Sequence, residues 1–197
     1  MIDLNQLSRL PIGVQSFEDL RKENALYVDK TDYVYYLAYS KTKSYFLTRP
    51  RRFGKSLFAN TLRAFFEGKK ELFDGLKIYD YEKNWIKYPM AYFDFVDGNY
   101  AAGVDVLVFK ILFVLKVYEI EHNIQYDESF VNKLKNDDKE LSEGEKLAFR
   151  FLYDMMTVYE KTGLKTVIIV DEYDNPLITA GNYYGQRKFF GCLRNYT

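Results

Sequence analysis

The chain has 197 residues, 48% hydrophobic and 28% charged, an ordinary composition for one α/β domain that can bury a core. Lysine plus arginine equal aspartate plus glutamate at 28 each, so no global basic field marks it as a nucleic-acid binder. The single cysteine, Cys192, excludes an internal disulfide and the lone His122 a histidine zinc cluster; with no charged-then-apolar leader and the most apolar stretch, 104–120, broken by Asp105, Lys110 and Lys116, no membrane span is predicted and a cytoplasmic location is expected.

The first elements are short. Leu10-Pro11-Ile12-Gly13-Val14 is a turn-rich lead-in, and 16–21 reads as a helix with Ser16 as N-cap and Asp19 three residues on. In Tyr27-Val28-Asp29-Lys30-Thr31, either Asp29 or Thr31 can cap a helix over 32–40, whose Val34, Leu37 and Ala38 form an apolar stripe. By fold-level analogy such a segment can hold a nucleotide base; the plainer reading is a scaffold helix packed on a sheet.

The stretch that carries the chemistry is Leu47-Thr48-Arg49-Pro50-Arg51-Arg52-Phe53-Gly54-Lys55-Ser56. Residues 44–48, with Tyr45, Phe46 and Leu47, are predicted as a buried strand bounded by Pro50. Residues 56–67 set Leu57, Thr61, Leu62, Phe65 and Phe66 at helical spacing, and Gly68 ends the pattern. A strand turning into a helix through Gly-Lys-Ser offers the helix's unpaired N–H groups and its partial positive charge to phosphates. Gly54 then lets backbone approach the phosphates, Lys55 reaches the terminal phosphoryl oxygens, and the Ser56 hydroxyl ligates magnesium. The full pattern wants glycine where Arg49 stands. The competing reading of Gly54-Lys55-Ser56 is a helix start with a capping serine and a surface lysine.

Beyond it, 73–85 reads as polar and turn-rich, and 89–96 as a nearly all-apolar strand suited to a parallel sheet buried on both faces. A long helix is predicted over 104–121. A second, 143–161, has Ser142 as N-cap, Glu145 completing a capping box, and Leu147, Phe151, Leu152, Met155 and Val158 on one face; Thr162-Gly163 ends it, and 126–140 between the two is charged and expected to be mobile. The 19 tyrosines and 16 phenylalanines recur at core-facing positions of these elements, which favours packing over a base-stacking platform.

The β-branched run 166–170 delivers Asp171-Glu172-Tyr173-Asp174-Asn175 to its C-terminal end, where parallel α/β sheets gather their ligands. Asp171 can hold magnesium through water while Glu172 polarises the water that attacks the terminal phosphate. A solvated turn is the alternative for these carboxylates.

Together, the phosphate loop Arg49 to Ser56, the segment Tyr27 to Thr31, the opening Leu10-Pro11-Ile12-Gly13 with Phe17 and Arg21, and Asp171-Glu172-Tyr173-Asp174 resemble the bacterial AAA-ATPase-like proteins, from about Ser8 to Asn195. The resemblance implies a P-loop NTPase fold, a three-layer α/β/α arrangement on a mainly parallel sheet. It also implies ATP and Mg2+ as cofactors, held by loops of Walker A and Walker B type. Arg49, Pro50, Arg51, Arg52, Phe53, Gly54, Lys55 and Ser56 would bind the nucleotide, Ser56 and Asp171 the metal, and Glu172 would be catalytic. In that family the loop commonly has Arg where Arg49 stands. Such proteins typically continue into a PD-(D/E)XK nuclease-like domain, which would bring nucleic acid as a partner, and homo-oligomers are compatible with the family.

On this reading 1–197 is one truncated domain, with 1–43 a lead-in and 44–197 the nucleotide-binding core. Residues 183–195 look like the start of the helix that precedes a further strand. Without that strand, 45–48 and 166–170 are expected to flank a gap, and this chain alone to be marginally stable with little ATPase activity. The alternative to an ATPase is a non-catalytic interaction or regulatory fragment on the same fold. A small-molecule kinase fits less well, because Glu172 beside Asp171 favours hydrolysis. The three arginines predict a nucleotide affinity that weakens with salt.

Overall fold

The computed structural model, which describes residues 9–14, 16–48, 50, 53–126 and 142–180, opens its first helix, α1 (Phe17–Lys22), on a serine cap: Ser16 Oγ accepts the Asp19 amide at 3.3 Å. The chain divides into two compact units, 1–88 and 89–197.

In the first unit α1 is followed by α2 (Thr31–Tyr39), α3 (Lys55–Phe66), a 3₁₀ turn (Lys70–Phe73) and α4 (Lys77–Tyr81). Their shared core is Phe17, Val34, Ala64, Phe65, Leu72, Phe73, Leu76 and Ile78, with Tyr27, Leu57, Leu62, Phe66 and Trp85 packed against it. Phe17 and Phe73 are fully buried and their rings stand 5.1 Å apart, each such burial contributing about 2 kcal/mol. The stretch 73–85, read as polar turns, thus supplies much of this core. Leu72, Phe73, Leu76 and Ile78 are carried by a 3₁₀ turn and a helix too short to register a periodic pattern. Glu82, 4% exposed, tidies its exit: Oε1 accepts the Asn84 amide at 2.8 Å, and Oε2 takes the Tyr39 hydroxyl of α2.

Two segments singled out in the sequence tie these helices together. Asp29 Oδ1 accepts both the Thr31 amide (2.8 Å) and the Thr31 hydroxyl (2.7 Å), while Oδ2 accepts the Lys77 amide (2.8 Å); Thr31 Oγ1 in turn accepts the Ile78 amide (3.1 Å). One carboxylate therefore satisfies orphan N–H groups at the starts of both α2 and α4. Arg21 of α1 does the complementary work for carbonyls, its Nε donating to Leu72 O at 2.8 Å and its guanidinium also to Asp74 O.

The expected strand over 44–48 does not form. Those residues are exposed and join no sheet among the described residues, Tyr45 standing 46% open. Aromatic content alone does not make a strand; a strand exists only through a ladder partner, and none lies beside this segment among the described residues.

The second unit holds β1 (Met90–Asp94), a 3₁₀ turn (Tyr100–Ala102), α5 (Val104–Glu121), α6 (Glu143–Thr162), β2 (Val167–Asp171) and α7 (Asn175–Ala180). β1 and β2 pair in parallel from Met90↔Val167 to Asp94↔Asp171. Apart from an isolated bridge between Arg9 and Ala25, this is the only ladder among the described residues. Residues 126–140, expected to be mobile, fall outside the described residues from 127 on, as does 183–195. α6 has the predicted capping box, Ser142 Oγ accepting the Glu145 amide at 3.3 Å and Glu145 accepting the Ser142 amide at 2.7 Å, and it ends on Gly163 in the left-handed conformation (φ 70°).

The core here is Ala91, Phe93, Phe95, Tyr100, Tyr118 and Val158, so α5 and α6 cover the Ala91 and Phe93 side of β1. Burial on both faces, expected from the apolar run 89–96, is not what β1 shows: Ala91 and Phe93 are buried, while Met90 and Tyr92 on its other face are only half-buried. Ile168 and Val170, the ladder partners of Ala91 and Phe93, stay 47% and 46% exposed, because the described helices reach β1 and leave β2 open.

Between α5 and α6 lies a buried polar knot. Arg150 Nε donates to Glu119 Oε1 at 2.6 Å, and Lys116 reaches Glu119 Oε2 at 3.2 Å. The Tyr126 hydroxyl lies 2.5 Å from Glu119 Oε1 and 2.8 Å from Asp154 Oδ1. A phenol has one proton to give, so with that proton on Glu119 the fully buried Asp154 completes the chain best as the neutral acid. Burial pushes its carboxyl up to about 6, with the Glu119 charge adding to the rise against the Tyr126 hydrogen bond.

Asp29 and Asp154 should make stability depend on pH with opposite signs. Burial works to raise the Asp29 carboxyl, but the amides of Lys77 and Thr31 outweigh it and hold the group below its ordinary value of 3.8. Its contribution is present above 3.8 and lost as pH falls through the folded-state value. Asp29→Ala should cost about 2–3 kcal/mol at neutral pH, and urea titrations should show that difference shrinking in acid. Asp154, raised, favours the fold below 3.8 and loses that contribution as pH rises through about 6. Asp154→Asn should therefore raise stability at neutral pH by roughly 1–3 kcal/mol and flatten the pH slope across that window.

Candidate functional site

In the first unit, the helix that follows the Gly-Lys-Ser motif starts on Gly54, in the left-handed conformation at φ 72°, ψ 29°. That conformation is why glycine stands there: an L side chain would cost about 1–2 kcal/mol. The turn aims Lys55 and Ser56, both half-buried, into the first turn of α3. The Phe58 amide makes the first helical bond, to Gly54 O at 3.0 Å. The amides of Lys55, Ser56 and Leu57 precede it, no side chain caps the helix, and its first turn carries no acidic residue. The helix end therefore presents three N–H donors and the positive end of its dipole beside a lysine. Among the described residues Lys55 has no ion pair. Pro50 and Phe53 are exposed, Phe53 by 63%. Arg49, Arg51 and Arg52 lie outside the described residues.

α3 is held from behind. Its Thr61 is fully buried, donates to Leu57 O at 2.8 Å and meets the Tyr27 hydroxyl at 3.5 Å, while the Tyr27 ring packs edge-on to Phe17 at 5.2 Å. Asn60 Nδ2 donates to Ser56 O at 2.8 Å. The segment 27–31 thus braces the loop helix from the core side.

In the second unit, Asp171 is the last residue of β2, directly opposite Asp94 at the end of β1. It is 6% exposed. Its Oδ1 accepts the Glu172 amide at 3.0 Å and its Oδ2 the Tyr92 hydroxyl at 3.4 Å, while its carbonyl accepts the Phe95 amide at 3.2 Å. Glu172, half-buried, leaves the strand with φ 50°, a left-handed conformation uncommon for a glutamate. Such outliers cost about 1–3 kcal/mol and persist where the surroundings fix them. Asp174 Oδ1 is buried with no hydrogen-bond partner among the described residues.

The residues fit a magnesium ion in donor chemistry. The Ser56 hydroxyl in the first unit and the Asp171 carboxylate in the second are each hard oxygen donors of the kind magnesium takes, and among the described residues the Asp171 oxygens accept the Tyr92 hydroxyl and the Glu172 amide. Among the described residues no group of three or more His, Cys, Asp or Glu side chains could hold a metal ion. Tyr92, Asp94 and Asn175 were not among the residues expected at the site. Period-2 spacing sets Tyr92 and Asp94 on one side of β1, but only the register across the sheet brings them to Asp171.

A helix that starts on a left-handed glycine, and a separate parallel strand ending in a shielded aspartate and a glutamate, define an α/β protein. The chain belongs to the AAA-ATPase-like family: the family model described as "Predicted AAA-ATPase" matches residues 11–197. It is also 34% identical over 172 residues to an "uncharacterized protein in vnfD 5'region" of Azotobacter chroococcum mcd 1, covering 86% of this chain and 30% of that protein. The chain thus spans about a third of the length of that relative. No solved structure matches it. Among the described residues no helix is long and apolar enough to cross a membrane.

Proposed function

We propose that this chain is the nucleotide-binding part of an ATPase, with a P-loop NTPase fold that takes ATP with magnesium and hydrolyses it. The observation that carries the reading is the start of α3, where left-handed Gly54 exposes the uncapped amides of Lys55, Ser56 and Leu57 next to the Lys55 ammonium. Membership of the family supports it.

In this reading the amides and Lys55 would hold the β- and γ-phosphates, and the Ser56 hydroxyl and, as the family resemblance implies, the Asp171 carboxylate would be oxygen donors to magnesium. Magnesium supplies neutralisation of the charge on the phosphoryl oxygens. Glu172 takes the proton of the attacking water as a hydroxide equivalent adds to the γ-phosphorus; the bond from the γ-phosphorus to the bridging oxygen breaks, and that oxygen leaves on ADP. The Tyr92 hydroxyl and the Glu172 amide keep Asp171 oriented. Arg49, Arg51 and Arg52 add positive charge along the loop, so affinity falls as salt rises.

Two substitutions separate binding from chemistry. Lys55→Ala should abolish magnesium-dependent ATP binding in calorimetry; an affinity equal to wild type would remove the loop assignment. Glu172→Gln should bind ATP as wild type does and lose turnover by about a hundredfold or more. A loss of binding matching the loss of turnover would make Glu172 a metal or structural residue instead.

A further inference from the structure

The left-handed backbone at Glu172 needs something to hold it, and the contacts around it converge on one side chain, Asn175. Its Nδ2 donates to two successive carbonyls of the chain leaving β1, Phe95 O at 2.7 Å and Val96 O at 2.8 Å. Its Oδ1 accepts the Thr179 hydroxyl at 3.1 Å, and its backbone amide donates to Glu172 O at 3.0 Å, closing the turn that carries Glu172. The orientation of the amide follows from its partners: two carbonyls require the NH2 group, and a hydroxyl donor suits the oxygen. Asn175 therefore clips the segment after β1 to the turn after β2, one step beyond the last ladder bond from Phe95 N–H to Asp171 O.

We propose that Asn175 is a positioning residue for Glu172, fixing the strained turn so that the glutamate is held where a water can be deprotonated. The inference rests on the hydrolytic role proposed for Glu172. It adds a specific division of labour at the two strand ends: Tyr92 orients Asp171 from the side of β1, and Asn175 orients Glu172 by gripping the carbonyls just past β1. A base displaced by about 1 Å loses up to two orders of magnitude in rate while leaving the phosphate contacts intact. A positioning role at Glu172 thus shows in the chemical step and leaves ATP affinity alone. A role in general folding lowers both together.

The test compares Asn175→Ala, the nearly isosteric Asn175→Asp and Thr179→Val in the intact protein. Asp at this position keeps the shape but sets an oxygen against two carbonyl oxygens. Magnesium-ATP affinity by calorimetry is expected to stay within about twofold in all three, while single-turnover hydrolysis falls about tenfold or more for both Asn175 variants and less for Thr179→Val. Hydrogen exchange at the residue 175 amide should quicken in Asn175→Ala. An active wild type with Asn175→Ala and Asn175→Asp equally active would overturn the positioning role and leave the hydrolytic reading standing. Equal losses of affinity and rate would make Asn175 a folding residue. Should Asn175→Ala fail to fold, Asn175→Asp and Thr179→Val decide by the same split. No turnover in the wild-type protein would overturn the hydrolytic reading itself, and with it the purpose assigned to Asn175.

Discussion

The first unit depends on one carboxylate used three times. Asp29 takes the Thr31 amide and hydroxyl on one oxygen and the Lys77 amide on the other, so the starts of α2 and α4 are capped from a single point. Helices of nine and five residues are too short to be stable by propensity, and their caps and packing must make up the difference. Tyr27, two residues before Asp29, extends the brace to Phe17 of α1 and Thr61 of α3. The Gly54 turn can offer its amides to an anion only because α3 is seated by these contacts. Phe17, Arg21, Asp29 and Thr31, which carry part of the family resemblance, thus serve the scaffold of the first unit.

The second unit solves a different problem, that of holding a carboxylate in place at the end of a small sheet. Asp171 is shielded from solvent yet retains two hydrogen-bond donors, the Glu172 amide and the Tyr92 hydroxyl. The buried Asp154 has a different setting. It lies deeper in the same unit, shares the Tyr126 hydroxyl with the nearby charge of Glu119, and is pushed up to about 6. Two buried aspartates in one unit thus take different roles: backbone and hydroxyl donors surround the first, and the second meets burial and a like charge.

Local rules read well here, and long-range ones did not. The Ser16 cap, the Ser142 and Glu145 capping box and the Gly163 stop are each written within four residues of the helix end they control, so α1 and α6 were legible in place. The Gly54 start of α3 was legible for the same reason. The segment 44–48 was misread because aromatic and β-branched runs report tolerance for a strand, while the strand itself needs a neighbour. Leu72, Phe73, Leu76 and Ile78 were missed because a 3₁₀ turn and a five-residue helix have no period to detect. The pairing of Asp94 with Asp171 is a matter of register between residues 77 positions apart, which no short motif encodes. The coarse α/β class and the two motifs were readable; the packing that positions them was not.

The central claim is that the start of α3 is where nucleotide phosphate is held, and amide hydrogen exchange tests it most directly. With magnesium-ATP added, exchange at Lys55, Ser56 and Leu57 should slow markedly while the amides along α6 stay unchanged. ATP binding that leaves the exchange of those three amides as it was would place the phosphates elsewhere and contradict the account.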